Sequence, residues 1–394
     1  MSKLSIEPFS LHVSDLVLED LRQRIRRTRW PDQLAGIGWD QGTELSYLRE
    51  LLAYWADGFD WRARERELNQ LPHYRAELDR LRIHFIYQRA QVPNAIPLVL
   101  THGWPSSFLE LLPLLPLLTD PAGHGIPGPP FHVVIPSLPG YGFSDRPGRT
   151  GITVQYTAEL WDRLMHGLGF RRYAAGGGDF GCSVATYLGR DHADSMIGLH
   201  LSTLDIMPYV GPESRPLSEA EKAYLEQNRR WWEGEGGYKA IQATKPQTAG
   251  YGLTDSPAGL AAWLLEKWRT WSDCAGDLES RFSRDFLLTM LTLYWVTETI
   301  TSSMRYYYDD RRLRPVGPKD FVRVPTAIAV FDHQLLPEGV PPRELVERLY
   351  NIRRWTVMPR GGHFAAREEP RLLAQDIAAF FQSEDNFPGT RPHH

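Results

Sequence analysis

Strand-like and helix-like stretches alternate along most of this chain, and the alternation is broken once, between residues 206 and 318. LRIHFIYQRA (81–90) reads as an alternating strand and AIPLVLTHGW (95–104) as a continuous one. FHVVIPSLPGYGFSD (131–145) is a buried strand running into a Pro/Gly loop. It is followed by a helix at TAELWDRLMHGLGF, a strand and turn at YAAGGGDFG, a helix at CSVATYLGRDHADS and a buried strand at MIGLHLST. After the break come strand VPTAIAVF (324–331), helix RELVERLYN, strand RRWTVMP, loop RGGHFAA and helix RLLAQDIAAFFQSE. Continuous apolar strands separated by amphipathic helices demand a doubly wound, mostly parallel sheet with both faces covered. The interrupting block is mostly helical in pattern, which makes it a cap inserted into the sheet domain. Ahead of the sheet, SDLVLEDLRQRIRRTRW offers Ser14 as an N-cap, and GTELSYLRELLAYWADGF is a second amphipathic helix. The expected organisation is an N-terminal helical extension over 1–90, sheet domain over 91–205, cap over 206–318 and sheet domain again over 319–394. A short polar tail ends in His393 and His394.

Composition removes several classes of function. A formal charge of −4 provides no global basic field for nucleic acid or an anionic membrane. The longest apolar-rich stretch, FLLTMLTLYWV (286–296), is too short to span a bilayer, and the start MSKLSIEPFSLHVSDLV lacks the apolar run of a signal peptide. Two cysteines, Cys182 and Cys274, suit a reducing compartment. The expectation is a soluble cytoplasmic protein with no nucleic-acid or membrane partner. Thirteen Trp and 17 Tyr are many, and an aromatic pocket is one use for them.

AAGGGDFGCS (174–183) supports two chemistries. Gly176 to Gly181 satisfies G-x-G-x-x-G, the loop that receives a dinucleotide pyrophosphate. The same stretch fits the tight strand-to-helix turn that exposes a nucleophile, with Asp179 where serine usually stands. Two strand patterns already precede this loop, whereas a dinucleotide fingerprint opens its domain. Asp179 would face the pyrophosphate with a negative charge, and Ser202 and Thr203 stand where a ribose needs an acid. The turn needs small residues, which Gly177, Gly181 and Cys182 supply. It also needs an oxyanion loop upstream and a histidine after the last strand, and THGWPS (101–106) and His363 in RGGHFAA meet both conditions. The hydrolase reading prevails over the oxidoreductase one.

With these residues in hand, the chain resembles the epoxide hydrolases of the α/β-hydrolase fold, most closely the microsomal-type branch with its N-terminal extension. The resemblance runs through IEPFSLHVSDLVLEDLRQRIRRTRWPDQ, HGWPSS, GGGDFG, the cap segment beginning EGGYKAIQATKPQ, and RWTVMPRGGHFAAREEP. Mammalian microsomal members carry a membrane anchor before this region; this chain is expected to lack one, like soluble bacterial or fungal relatives. The resemblance implies Asp179 as the nucleophile that forms an alkyl–enzyme ester and His363 as the base that activates water. It further implies Tyr238 and Tyr307 as donors to the epoxide oxygen, with Tyr306 and Tyr308 as neighbours that packing could claim. The backbone N–H groups of Trp104 and Phe180 would hold the oxyanion, and His102 would have a structural role in their loop. No metal or organic cofactor is implied; the partners are an epoxide and water, with a homodimer possible.

The triad acid departs from the branch. Where a pattern like F-P-x-E is usual, this chain has Phe331-Asp332-His333-Gln334, so an uncharged glutamine replaces the glutamate. The wider A-x-x-D-x-x-L-x-P pattern matches Ala329 to Pro337 without a gap and assigns Asp332, with Asp205 as the fallback. The expected activity is hydrolysis of a bulky, largely apolar or aromatic epoxide to a vicinal diol, in secondary metabolism or detoxification. Two rivals are a haloalkane dehalogenase, which would need Trp or Asn donors around a halide, and a catalytically silent ligand receptor of the same fold.

Overall fold

The computed structural model describes residues 4–383; the tail ending in His393 and His394 lies outside them. Its strands are β1 (Ile6–Pro8), β2 (His73–Leu78), β3 (Leu81–Gln88), β4 (Ile96–Thr101), β5 (Phe131–Pro136), β6 (Tyr173–Gly177), β7 (Met196–Leu201), β8 (Val322–Val330) and β9 (Tyr350–Val357). Among the described residues they form one nine-stranded sheet in the order β1-β2-β3-β5-β4-β6-β7-β8-β9. From β5 to β9 every neighbouring pair is parallel, while β1, β2 and β3 pair antiparallel and β3 joins β5 antiparallel. Leu98, Val99, Val133, Val134, Ala174 and Leu199 are fully buried, as the unbroken apolar runs of parallel strands require.

Two local readings differ from the structure. HYRAEL at 73–78 is a sheet strand rather than part of a helical extension, and it hairpins into β3 through Asp79 and Arg80. Both turn residues have positive φ, 49° and 64°, a conformation whose usual sequence signal is Asn-Gly. In RELVERLYN only Arg343–Val346 is helical, because Tyr350 is already paired with Val322 in β9.

The interrupting block is a cap of six helices, Glu219–Glu235, Gly237–Thr244, Pro246–Asp255, Pro257–Thr270, Arg284–Thr297 and Ile300–Asp310. FLLTMLTLYWV lies in the fifth, where every residue from Phe286 to Trp295 is buried. A helix that is apolar all round belongs inside a protein core. No described helix is long and apolar enough to cross a membrane. The extension straps this cap from outside. On the helix Leu45–Asp57, Trp55 Nε1 donates to Thr292 Oγ1 at 2.9 Å and the Tyr54 hydroxyl to Asp285 at 2.8 Å. Just before it, Thr43 donates to the Ala262 carbonyl at 2.7 Å.

The far face of the sheet is tied by Asp376 on the helix Pro370–Gln382. Its buried carboxylate accepts from His200 Nε2 on β7 at 2.8 Å, and from Arg354 Nε and Thr356 Oγ1 on β9 at 2.7 Å each. Burial opposes its ionisation, but His200, Arg354 and Thr356 outweigh burial and bring it down from 3.8 to about 2. A depressed carboxyl stabilises the fold above its ordinary range, so this contribution is whole above pH 3.8 and lost as pH falls toward about 2. Asp376→Ala leaves His200 buried and the half-buried Arg354 without their acceptor, and should cost ~1–3 kcal/mol in a denaturant titration at neutral pH. Equal midpoints for the variant and the parent would show that the helix is held by apolar packing alone.

Candidate active site

Asp179 sits where β6 meets the helix Phe180–Asp191, as that helix's N-cap, with φ 53° and ψ −129°. A non-glycine residue there is strained, and the surroundings must hold it. The crossing is tight against the end of β4. A Cβ on Gly181 would lie 1.9 Å from the Thr101 carbonyl oxygen, and one on Gly177 (φ 155°) would lie 2.3 Å from it. Any side chain at either position would push strand and helix apart.

The turn aims the carboxylate at two donors. Oδ1 accepts from Phe180 N at 2.7 Å and from Trp104 N at 2.9 Å, both expected oxyanion groups. Trp104 reaches it because the loop after β4 passes so close that a Cβ on Gly103 would fall 2.2 Å from Oδ1. His102 anchors that loop: Nδ1 lies 3.1 Å from the Gly103 carbonyl, and Nε2 accepts from Leu138 N at 3.2 Å. Burial lowers its imidazole to about 4, in keeping with a structural neutral histidine. The helix N-terminus is already occupied by the Asp179 carboxylate, which leaves poor provision for a pyrophosphate.

Oδ2 faces His363 Nε2 at 3.5 Å. The histidine loop is held from both sides: His363 N donates to the Trp271 carbonyl at 2.8 Å, while Glu368 accepts from Gly362 N at 3.1 Å, Phe364 N at 3.0 Å and Asp273 N at 2.7 Å. Glu368 thus ties the loop to the cap segment beyond the helix Pro257–Thr270. Burial works against both charged partners. Even so, His363 and the Trp104 and Phe180 N–H groups hold the Asp179 carboxyl below its ordinary value. The imidazole is raised, burial being overcome by Asp179, then Glu110 and Glu338.

Three carboxylates compete for the role of acid. Asp332 follows β8 and accepts from Gly339 N at 3.3 Å; among the described residues no hydrogen bond joins it to His363. Asp205 accepts from Ser183 Oγ at 2.8 Å. Glu338, which sequence reasoning passed over, accepts from Asn228 Nδ2 of the cap at 2.7 Å. Burial lifts Glu338 to about 7, with the Asn228 hydrogen bond and then the charge of His363 drawing it back down. It stands one residue past the Ala329–Pro337 pattern, so only its charge on the right loop could have flagged it.

The three consecutive tyrosines separate. Tyr306 shares a hydrogen bond with Thr157 at 2.9 Å, and Tyr308 accepts from Arg312 at 2.7 Å near the surface. Tyr307 packs on Phe180 at 4.8 Å between centroids and edge-on to Tyr238 at 5.8 Å. Tyr238 stacks on the Trp104 indole at 5.2 Å and meets Trp271 at 5.1 Å. Burial keeps both phenols well above their ordinary range, Asp179 adding to the effect, so each remains a proton donor at neutral pH. Among the described residues no three His, Cys, Asp or Glu side chains converge as metal ligands would.

Known proteins share this plan. The pattern described as the epoxide hydrolase N terminus matches residues 6–111, and the alpha/beta hydrolase fold matches 96–248. Epoxide hydrolase 1 of Sus scrofa is 37% identical over 408 residues, covering 95% of this chain and 88% of the relative. The Aspergillus niger epoxide hydrolase structure superposes with a TM-score of 0.83 at 32% identity over 96% of each chain. Juvenile hormone epoxide hydrolase from the silkworm Bombyx mori gives 0.80 at 32% identity over 95% of this chain and 92% of that one. With a strained aspartate at the strand–helix turn, a histidine beside it and such relatives along its whole described length, the chain belongs to the epoxide hydrolases of the α/β-hydrolase fold.

Proposed function

We propose that this enzyme converts a bulky, largely apolar or aromatic epoxide to a vicinal diol through an ester on Asp179. One observation carries the reading: Oδ1 is held by two backbone N–H groups, whereas Oδ2 is free to react and faces His363. Oδ2 attacks an epoxide carbon, the C–O bond of the ring breaks, and its oxygen takes a proton from Tyr238 or Tyr307. Oδ1 becomes the ester carbonyl oxygen, already seated between Trp104 N and Phe180 N. Water then gives a proton to His363 and attacks Cγ, and the two N–H groups stabilise the oxyanion. Collapse releases the diol carrying the original Oδ2 and leaves the water oxygen in Asp179. One proton of that water leaves with the diol, and the other restores the tyrosine.

Trp104, Phe180, Tyr238, Trp271 and Tyr307 give the site aromatic walls, which supports an apolar or aromatic substrate. The loop after β8 supplies the acid in this reading. Of its two carboxylates, Glu338 lies in the field of His363, as Asp205 after β7 also does, and Asp332 is the alternative. A cytoplasmic location is part of the reading, supported by the free, buried Cys182 and Cys274.

A second reading has its own support. The indole N–H groups of Trp104 and Trp271 are buried without a partner among the described residues, and a halide needs such donors. A haloalkane dehalogenase would release bromide from an alkyl bromide and leave epoxides untouched. Diol formation from styrene oxide, with no bromide release, would dismiss that reading together with the silent receptor.

The covalent step has a direct test. His363→Gln should accumulate a protein species heavier by the mass of the epoxide, mapping to residues 174–183, and one wild-type turnover in oxygen-18 water should label Asp179. An adduct on any other peptide sinks the nucleophile assignment. The acid is tested by following the same ester in single turnovers. Glu338→Gln should slow ester hydrolysis by ~100-fold or more with little change in its formation, since an amide cannot offset imidazolium charge. Asp332→Asn should do much less. The reverse order would return the role to Asp332, and a stall in Asp205→Asn alone would move it to the end of β7.

A further inference from the structure

Behind the Asp179–His363 pair lies a small cavity of about 20 Å³, lined by Gly103, Ser106, Glu110, Asp179, His363 and Phe364 among others. It has room for one water molecule. The rest of its wall is mixed, apolar at Leu100, Leu111, Leu114, Leu373 and Ile377 and polar at Thr101, His102, His200 and Ser202. A cavity with only apolar walls stays dry, whereas one with two to four polar partners holds water. Ser106, Glu110, His363 and Asp179 alone provide that number. Every lining residue comes from the sheet domain, whereas Tyr238 and Tyr307 come from the cap helices Gly237–Thr244 and Ile300–Asp310.

Glu110 has no part in the mechanism described so far, yet it is buried in the helix Phe108–Leu111, one turn beyond Ser106. A carboxyl in such a place is costly unless it has work or a partner. We infer that Glu110 and Ser106 hold the hydrolytic water in this cavity, beside the Asp179 and His363 side chains that also line it, before the epoxide binds. This rests on the ester route proposed above and adds the source of the second nucleophile. The water adds to Cγ across the plane of the ester, gives one proton to His363 and keeps its oxygen on Asp179. Burial lifts Glu110 to about 7, with the Ser106 hydroxyl drawing it back, so near neutral pH its carboxyl can accept from water as well as donate to it.

The test separates the two half-reactions. Wild type, Glu110→Gln and Glu110→Leu are mixed with styrene oxide in single turnovers, and ester and diol are followed by quenched mass spectrometry. Ester formation should stay within about twofold of wild type in both variants. Ester hydrolysis should slow by about 10-fold in Glu110→Gln and about 100-fold in Glu110→Leu, since a misplaced nucleophile loses rate on that scale. If Glu110→Leu does not fold, the isosteric Glu110→Gln decides by the same criterion. An ester that forms and clears at wild-type rates in both variants overturns the assignment alone. Formation falling in step with hydrolysis also overturns it, because Glu110 would then only brace the Trp104 loop. Absence of any ester in His363→Gln overturns the covalent route and this assignment with it.

Discussion

The chemistry depends on one residue held in an unfavourable conformation. Asp179 has φ 53°, and the cost of that conformation is met by the contacts it makes possible. The strand before it and the helix after it cross so closely that only glycine fits at Gly177 and Gly181. The positive end of the helix lies under the carboxylate, and two N–H groups fix one of its oxygens. Fixing Oδ1 makes the two oxygens unequal before any substrate arrives. On the ester route proposed above, the same donors would orient the nucleophile and stabilise the charge formed when the ester is attacked, so one arrangement would serve both half-reactions.

The cap has to deliver its tyrosines to a site built by another part of the chain, and aromatic packing connects the two. Tyr238 lies flat on the indole of Trp104, whose backbone N–H donates to Asp179, so the cap tyrosine and that donor are registered through a single residue. Trp271 extends the contact to the His363 ring at 5.0 Å. Hydrogen bonds from Thr43, Tyr54 and Trp55 tie the extension to the cap. Stacked rings and buried indoles transmit position well because a close-packed interior resists small displacements.

What could be read from the sequence followed from how local each feature is. The central strands and the Asp179 turn were legible, because continuous apolar runs and a glycine-flanked acid are properties of a few consecutive residues. β2 was not, because Asp79 and Arg80 form the hairpin without the glycine that would mark it. The three tyrosines were alike as letters; helical geometry sends one to Thr157, one to Phe180 and one to Arg312. Glu338 and Glu110 were the hardest to see. Their significance comes from facing His363 across the fold, and no spacing along the chain encodes that.

These two glutamates also change how the charge of the site should be understood. Asp179 is ionised, and burial holds Glu110 and Glu338 up to about 7, so near neutrality the acids around His363 do not all carry charge at once. Three fixed negative charges in one desolvated site would repel each other strongly; a unit pair at ~5 Å with an effective dielectric of ~20 interacts by ~3 kcal/mol. Two carboxyls poised near their midpoint avoid that repulsion in the resting enzyme. On the ester route proposed above, conversion of Asp179 to an uncharged ester would remove a charge that helps to hold Glu110 up, easing the ionisation of Glu110. Its carboxylate would then be available when His363 takes a proton from water and an imidazolium has to be stabilised. On that route the formation of the ester prepares the electrostatics of its own hydrolysis.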